Sequence, residues 1–207
     1  MLEWLSQYNT LDFPLLEEQR AFGKREHIPL LDKAAGQALY FITALKKPAQ
    51  ILEIGFGAGY STLWLHQGAP QAKILSLEKK LNLDNPLLDR IEQEKLPICV
   101  IEADARQYLK ECETTFDLVF MDAVKSQYQL YLGLLEQKNL NPGALLICDN
   151  IFYRGKVQTP GLSPKKAKEI KKLMSFCIYL QTSALYETIF LPMGDGLSIS
   201  RFLGDNP

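Results

Sequence analysis

The sequence predicts an α/β fold: a doubly wound sheet of about seven strands, mostly parallel, with an antiparallel strand near the C-terminus and helices on both faces. Three observations carry this expectation. From Ile51 onward, short apolar runs alternate with helical patterns, as in repeated βαβ units. The first of these strands ends in Gly55, Gly57 and Gly59 and leads into a helix, the arrangement that builds a nucleotide-shaped pocket at the carboxyl end of a parallel sheet. The last two strands are joined by the short Pro192-Met-Gly-Asp-Gly196 segment, which implies an antiparallel pair.

The elements follow in order. Residues 1–25 place Trp4, Leu5, Tyr8 and Leu11 at helical spacing, which predicts one or two short helices capping the sheet. Asp32–Leu45 reads as a helix packed on the sheet, stopped by Lys46-Lys47-Pro48. Strands are expected at Ile51–Ile54, Lys73–Leu77, Ile98–Ile101, Phe116–Met121 and Ala144–Cys148. Helices are expected from Ser61, over Asn85–Lys95 with Pro86 near its start, from Ala105 with Asp104 as N-cap, and over Tyr128–Gln137. Lys165–Cys177 reads as a helix with a basic first half, and Tyr186–Leu191 and Leu197–Phe202 as the closing strands. The whole is a single Rossmann-like domain over 1–207, with N-terminal helices over 1–45 and the core over 50–203.

Hydrophobic residues make up 47% of the 207 residues and charged residues 23%, ordinary for a globular protein. The net charge of −1 gives no global basic field for nucleic acid, although a local patch is compatible with it. No apolar run approaches the roughly 18 residues of a membrane span. The acidic, h-region-free start shows no signal peptide, so the expected location is the cytoplasm. Cys99, Cys112, Cys148 and Cys177 are widely spaced, which disfavours a disulfide framework or zinc site; Cys99 and Cys148, in strand-like runs, are expected to be buried thiols. His27 and His66 are isolated and are expected at surface or cap positions.

The glycine turn has Tyr60 where a dinucleotide fingerprint wants its third glycine, and no Gly-Lys-Ser/Thr phosphate loop is present. Glu78 ends the next strand, where a carboxylate accepts hydrogen bonds from ribose hydroxyls; this supports a nucleoside without choosing one. Asp122 ends the fourth strand and Asp149-Asn150 the fifth. Neighbouring strands lie about 4.8 Å apart, so these ends can converge on one ion. Two carboxylates and an amide oxygen are hard ligands that suit Mg²⁺ rather than zinc.

Glu53-x-Gly55-x-Gly57-x-Gly59 resembles the first motif of class I S-adenosylmethionine methyltransferases. Asp122-x-x-Lys125-x-x-Tyr128, Asn141-Pro-Gly, Asp149-Asn150 and Leu191-Pro-Met-Gly-Asp-Gly-Leu resemble the cation-dependent O-methyltransferases, a family that includes catechol and caffeoyl-coenzyme A enzymes and bacterial relatives. The resemblance spans roughly residues 28–203. It implies that Glu53, Gly55, Gly57, Gly59, Tyr60, Ser61, Glu78, Asp104, Ala105 and Asp122 form the S-adenosylmethionine site, with Asp104-Ala105 by the adenine. For Asp104 the helix cap is a rival role, and both roles are compatible. It implies further that Asp122, Asp149 and Asn150 bind Mg²⁺ or Mn²⁺ and that Lys125 is the general base. A lysine that stays charged and stabilises the oxyanion is the alternative.

Chelation asks for an acceptor with vicinal oxygens: a small catechol-like molecule, or 5-hydroxyuridine in tRNA. The run Asp149-Asn-Ile-Phe-Tyr-Arg-Gly-Lys156 resembles the bacterial members that act on the tRNA nucleoside. Arg154 stands where mammalian catechol enzymes have a proline gatekeeper, and Tyr153 near a tryptophan of the plant caffeoyl-coenzyme A enzymes. Tyr153, Arg154 and Lys156 are the candidate substrate contacts, with Phe152 or Tyr153 stacking on a base. Lys165, Lys166, Lys168, Lys171 and Lys172 supply a basic surface for phosphates, or simply a solvated helix face. Family resemblance also makes a homodimer an expectation. A non-enzymatic binding protein on a degenerate fold is the alternative of a different class, against which the intact Asp122, Lys125, Asp149 and Asn150 set argues.

Overall fold

The computed structural model describes residues 11, 13–153, 155 and 161–204. Fourteen regular elements follow in chain order: α1 (Pro14–Arg25), α2 (Lys33–Lys46), β1 (Gln50–Ile54), α3 (Tyr60–Gly68), β2 (Lys73–Glu78), α4 (Pro86–Gln93), β3 (Ile98–Glu102), α5 (Ala105–Glu111), β4 (Phe116–Met121), α6 (Tyr128–Lys138), β5 (Leu140–Asp149), α7 (Pro164–Thr182), β6 (Tyr186–Leu191) and β7 (Leu197–Phe202), with a short 3₁₀ turn at Lys125–Gln127. Strand and helix boundaries agree with the sequence expectation to within a few residues. Trp4, Leu5 and Tyr8 lie outside the described residues, and α1 accounts for the helix expected in the second half of 1–25.

The seven strands form one sheet in the order β3-β2-β1-β4-β5-β7-β6. The pairs from β3 through β5 are parallel; β7 pairs antiparallel with both β5 and β6, so β7 is the reversed strand. Strand order turns back between β1 and β4, and such a switch point opens a crevice beyond the carboxyl ends of the strands.

The central strands are apolar on both sides because helices cover both faces. Ile51, Leu118 and Ile147 pack with Leu16, Leu39 and Trp64 of α1, α2 and α3. Leu52, Ile54, Val119 and Leu146 pack with Leu109, Leu132 and Phe176 of α5, α6 and α7. Helix starts are set locally. Asp32 accepts from the Ala34 and Ala35 amides, Asn85 from Leu87 with Pro86 in the first turn, and Asp104 from Arg106.

Two motifs act as fasteners at opposite ends of the sheet. At the amino ends of β1, β4 and β5, Asn141 donates to Asp117, which also accepts from the Ala49 and Gln50 amides. At the carboxyl end, the Met193–Gly196 turn receives the chain beyond β5: the Ile151 amide donates to the Gly196 carbonyl and the Phe152 amide to that of Asp195.

Two expectations are corrected. Cys99 is exposed rather than buried, because β3 is an outer strand whose side chains are covered less completely; Cys148 is buried as expected. His66 is buried within α3 rather than placed at a surface or cap, whereas His27 is exposed. Among the described residues no helix is long and apolar enough to cross a membrane.

Candidate active site

A cavity of about 780 Å³ opens over the switch point. Its floor is the glycine turn after β1, and its walls come from Glu78, the segment 122–126 after β4, Asp149-Asn150 after β5, and Lys166 and Glu169 of α7. A smaller cavity of about 300 Å³ adjoins it, sharing Gly55, Glu78 and Asp122 and reaching Asp104, Ala105, Gln127 and Tyr131.

The glycine turn is shaped by contact. Gly55 has φ +106°, and a Cβ there would lie 2.3 Å from the Asp122 carbonyl oxygen, so β1 and β4 come together only with glycine at this position. Gly59 has φ +79° and faces Leu87 and Phe56; it shapes the turn without lining the cavity. The Ala58 carbonyl accepts from Gln19 and, at 3.1 Å, from Asn85. These two buried amides tie α1 and the start of α4 to the turn. Neither contact was expected from the sequence, where Gln19 carries no signal and Asn85 reads only as a helix start.

Gly55, Gly57, Tyr60, Ser61, Glu78 and Asp122 line the main cavity. Glu78 braces its floor: its carboxylate accepts from the Gly57 amide at 3.0 Å and the Lys80 amide at 3.2 Å. Asp104 and Ala105 line the smaller cavity instead. Asp104 caps α5 and forms a two-point contact with Arg106, at 2.9 and 2.5 Å. Hydrogen bonding from Arg106 holds its carboxyl well below the usual carboxylate range.

Glu53 is the clear departure from expectation. It is 0% exposed and does not line the cavity. Its carboxylate accepts from Ser61 Oγ, Thr62 Oγ1 and Ser76 Oγ, each at 2.5 Å. Strand alternation points Glu53 to the α3 side of the sheet, with Ile51, so it fastens the helix start from beneath. Burial pushes its carboxyl up to about 7 despite the three donors.

Asp122, Lys125, Asp149 and Asn150 line the same cavity. Lys125 Nζ lies 2.5 Å from Asp122 Oδ1. Asp149 is 2% exposed; its Oδ2 accepts from Asn150 Nδ2 at 2.8 Å, and its Oδ1 has no hydrogen-bond partner. Burial, then the neighbouring Asp122, pushes the Asp149 carboxyl up to about 7. Asn150 holds a left-handed conformation, φ +58°, that asparagine tolerates better than most residues. Among the described residues no group of three or more His, Cys, Asp or Glu is gathered for a metal. Two carboxylates, an amide and one unpartnered buried oxygen fit a hard cation that keeps water or substrate in its remaining positions.

Tyr153 lines the cavity and donates from its hydroxyl to Glu169 at 2.6 Å. Phe152 and Tyr153 both pack against the core, and of the two Tyr153 lines the cavity. Arg154 and Lys156 lie outside the described residues. Lys166 reaches the cavity, while Lys165, Lys168, Lys171 and Lys172 are exposed along α7. Ile28–Leu31, Val124, Ser126, Glu169 and Asp195 also line it and were not anticipated. The apolar Ile-Pro-Leu-Leu run after a charged stretch, and the place of Asp195 inside the Pro-Met-Gly-Asp-Gly segment, were the available signals.

A glycine turn at the switch point, acidic strand ends facing one cavity and a single reversed strand near the sheet edge define a methyltransferase of the Rossmann-like class. A methyltransferase from Podospora anserina, solved with SAH bound, superposes with a TM-score of 0.81 at 25% identity, covering 97% of this chain and 94% of its own. The family model for O-methyltransferases matches residues 6–203, and the chain belongs to that family of enzymes. It is 27% identical over 134 residues to a catechol O-methyltransferase from Niastella koreensis, covering 59% of this chain and 58% of the relative. To a caffeoyl-CoA O-methyltransferase from Petroselinum crispum it is 28% identical over 185 residues, covering 80% of this chain and 73% of the relative.

Proposed function

We propose that the protein transfers the methyl group of S-adenosylmethionine to a hydroxyl of an acceptor with vicinal oxygens, assisted by Mg²⁺ or Mn²⁺ at Asp122, Asp149 and Asn150. The observation that carries the metal reading is the buried, unpartnered Oδ1 of Asp149, a residue that lines the same cavity as Asp122. A cation there supplies Lewis acidity: it lowers the pKa of a chelated hydroxyl and fixes its oxygen.

The chain's own groups supply the rest. The glycine turn lets the backbone approach the donor closely, and Glu78, which lines both cavities, would accept from its ribose hydroxyls. Lys125 pairs with Asp122; with a cation on that carboxylate, the lysine in its neutral form would take the acceptor's hydroxyl proton. Apolar Ile28, Leu30 and Val124 at the cavity help to exclude water from the transfer.

For the acceptor, Lys166 at the cavity and four exposed lysines along α7 favour an anionic partner. We assign 5-hydroxyuridine in tRNA as that acceptor, with Tyr153 available to stack on a base. A catechol-like or caffeoyl-CoA-like small molecule is the second reading, favoured by the relatives' names and by the apolar wall. Titration calorimetry with S-adenosylmethionine, with and without Mg²⁺, tests the foundation: binding is expected, and its absence would reject the enzyme reading.

A further inference from the structure

Tyr128 opens α6 and is wholly buried. Its hydroxyl lies 3.0 Å from the Met121 carbonyl oxygen and 3.1 Å from that of Asp149. These carbonyls belong to neighbouring strands, the first immediately before Asp122 and the second on Asp149 itself. The backbone register between β4 and β5 runs to Met121 and Cys148, so the hydroxyl joins the two chains where that ladder ends. The same side chain reaches the lysine: Lys125 Nζ lies 5.7 Å from the Tyr128 ring centroid. Its other edge meets Phe176 of α7, centroids 5.5 Å apart at 72°.

A tyrosine hydroxyl buried in an apolar core needs a partner, and one carbonyl would satisfy it. Here it is shared between two carbonyls whose separation sets the spacing of the acidic strand ends. We propose that Tyr128 is a positioning residue: its hydroxyl fixes Asp149 relative to Asp122, and its ring supports the Lys125 side chain beside Asp122. The inference rests on the metal-assisted reading above, because the spacing of two carboxylates matters most to an ion shared between them.

Tyr128→Phe keeps the ring and removes the link. In the full-length protein saturated with S-adenosylmethionine, calorimetric titration with Mn²⁺ is expected to show affinity lower by about 10- to 100-fold, the usual effect of losing an outer partner of a metal site. The acceptor KM is expected to rise while the S-adenosylmethionine KM stays unchanged. Tyr179→Phe, which removes a hydroxyl bonded to Glu136 at 3.0 Å, is the reference and is expected to change neither quantity. Unchanged Mn²⁺ affinity and acceptor KM in Tyr128→Phe would overturn the proposal. So would loss of S-adenosylmethionine binding in that variant, which would make the hydroxyl a general element of the fold. Wild-type protein that binds no Mn²⁺ would reject the metal reading itself; the split between acceptor and cofactor KM then decides the role of Tyr128.

Discussion

Lys125 Nζ and Asp122 Oδ1 lie 2.5 Å apart, one turn of chain from each other at the carboxyl end of β4. The pair is partly shielded, with side-chain exposures of 17% and 24%. Asp122 thus faces two claims, from the lysine and from the cation proposed to be shared with Asp149. A lysine displaced from its carboxylate by a cation would be left at the cavity, the place proposed for the acceptor hydroxyl.

This relationship separates two roles for Lys125. Lys125→Met is expected to lower kcat by about 100- to 10,000-fold, the range for a general acid or base, with S-adenosylmethionine affinity unchanged. Lys125→Arg keeps the charge and loses the capacity to take up a proton near neutral pH. Steady-state kinetics should find it as impaired as Lys125→Met; activity within tenfold of wild type would assign Lys125 to oxyanion stabilisation alone.

Glu53 makes stability depend on pH. Its carboxyl is raised by burial to about 7, above its ordinary value. The folded state therefore holds a proton that the unfolded chain releases. The resulting stability is fully present below about pH 4.5 and is lost as pH rises through about 7. The shift corresponds to about 3 kcal/mol between those limits. Metal-free protein followed by urea unfolding should show this slope together with that of the raised Asp149 carboxyl, and Glu53→Gln should remove the Glu53 share and leave that of Asp149. An unchanged slope in Glu53→Gln would show that Glu53 is ionised throughout.

The exposed face of α7 distinguishes the acceptors. Reversing Lys168 and Lys171 to glutamate should weaken methylation of a tRNA carrying 5-hydroxyuridine at least about tenfold at physiological salt, and steepen with lower salt, because phosphate contacts release counterions. The rate with a free catechol should not change. Equal effects on both acceptors, or on neither, would remove the tRNA surface from α7.

The order of strands and helices was legible because buried parallel strands read as short apolar runs and because Asp32, Asn85 and Asp104 mark helix starts directly. The cavity floor and the acidic strand ends were legible for the same reason: a residue at a strand's carboxyl end has one place to be in such a sheet. What the sequence concealed depends on which face a residue takes. Glu53 reads like a cofactor ligand, yet the two-residue alternation of β1 turns it under α3 onto three hydroxyls. Gln19 and Asn85 meet the Ala58 carbonyl from distant points of the chain, a contact that no local pattern encodes. Cys99 lies in a strand-like run but on an outer strand, and position in the sheet decides its exposure.

Metal-assisted methyl transfer is the reaction proposed for Asp122, Lys125, Asp149 and Asn150. The most direct measurement follows methyl-labelled S-adenosylmethionine into a tRNA carrying 5-hydroxyuridine and into catechol, using wild-type protein and Asp149→Ala, each with Mg²⁺ or with a chelator. Transfer is expected from wild type with Mg²⁺ only, and none from Asp149→Ala although it still binds S-adenosylmethionine. Full turnover in chelator, or by Asp149→Ala, would contradict it.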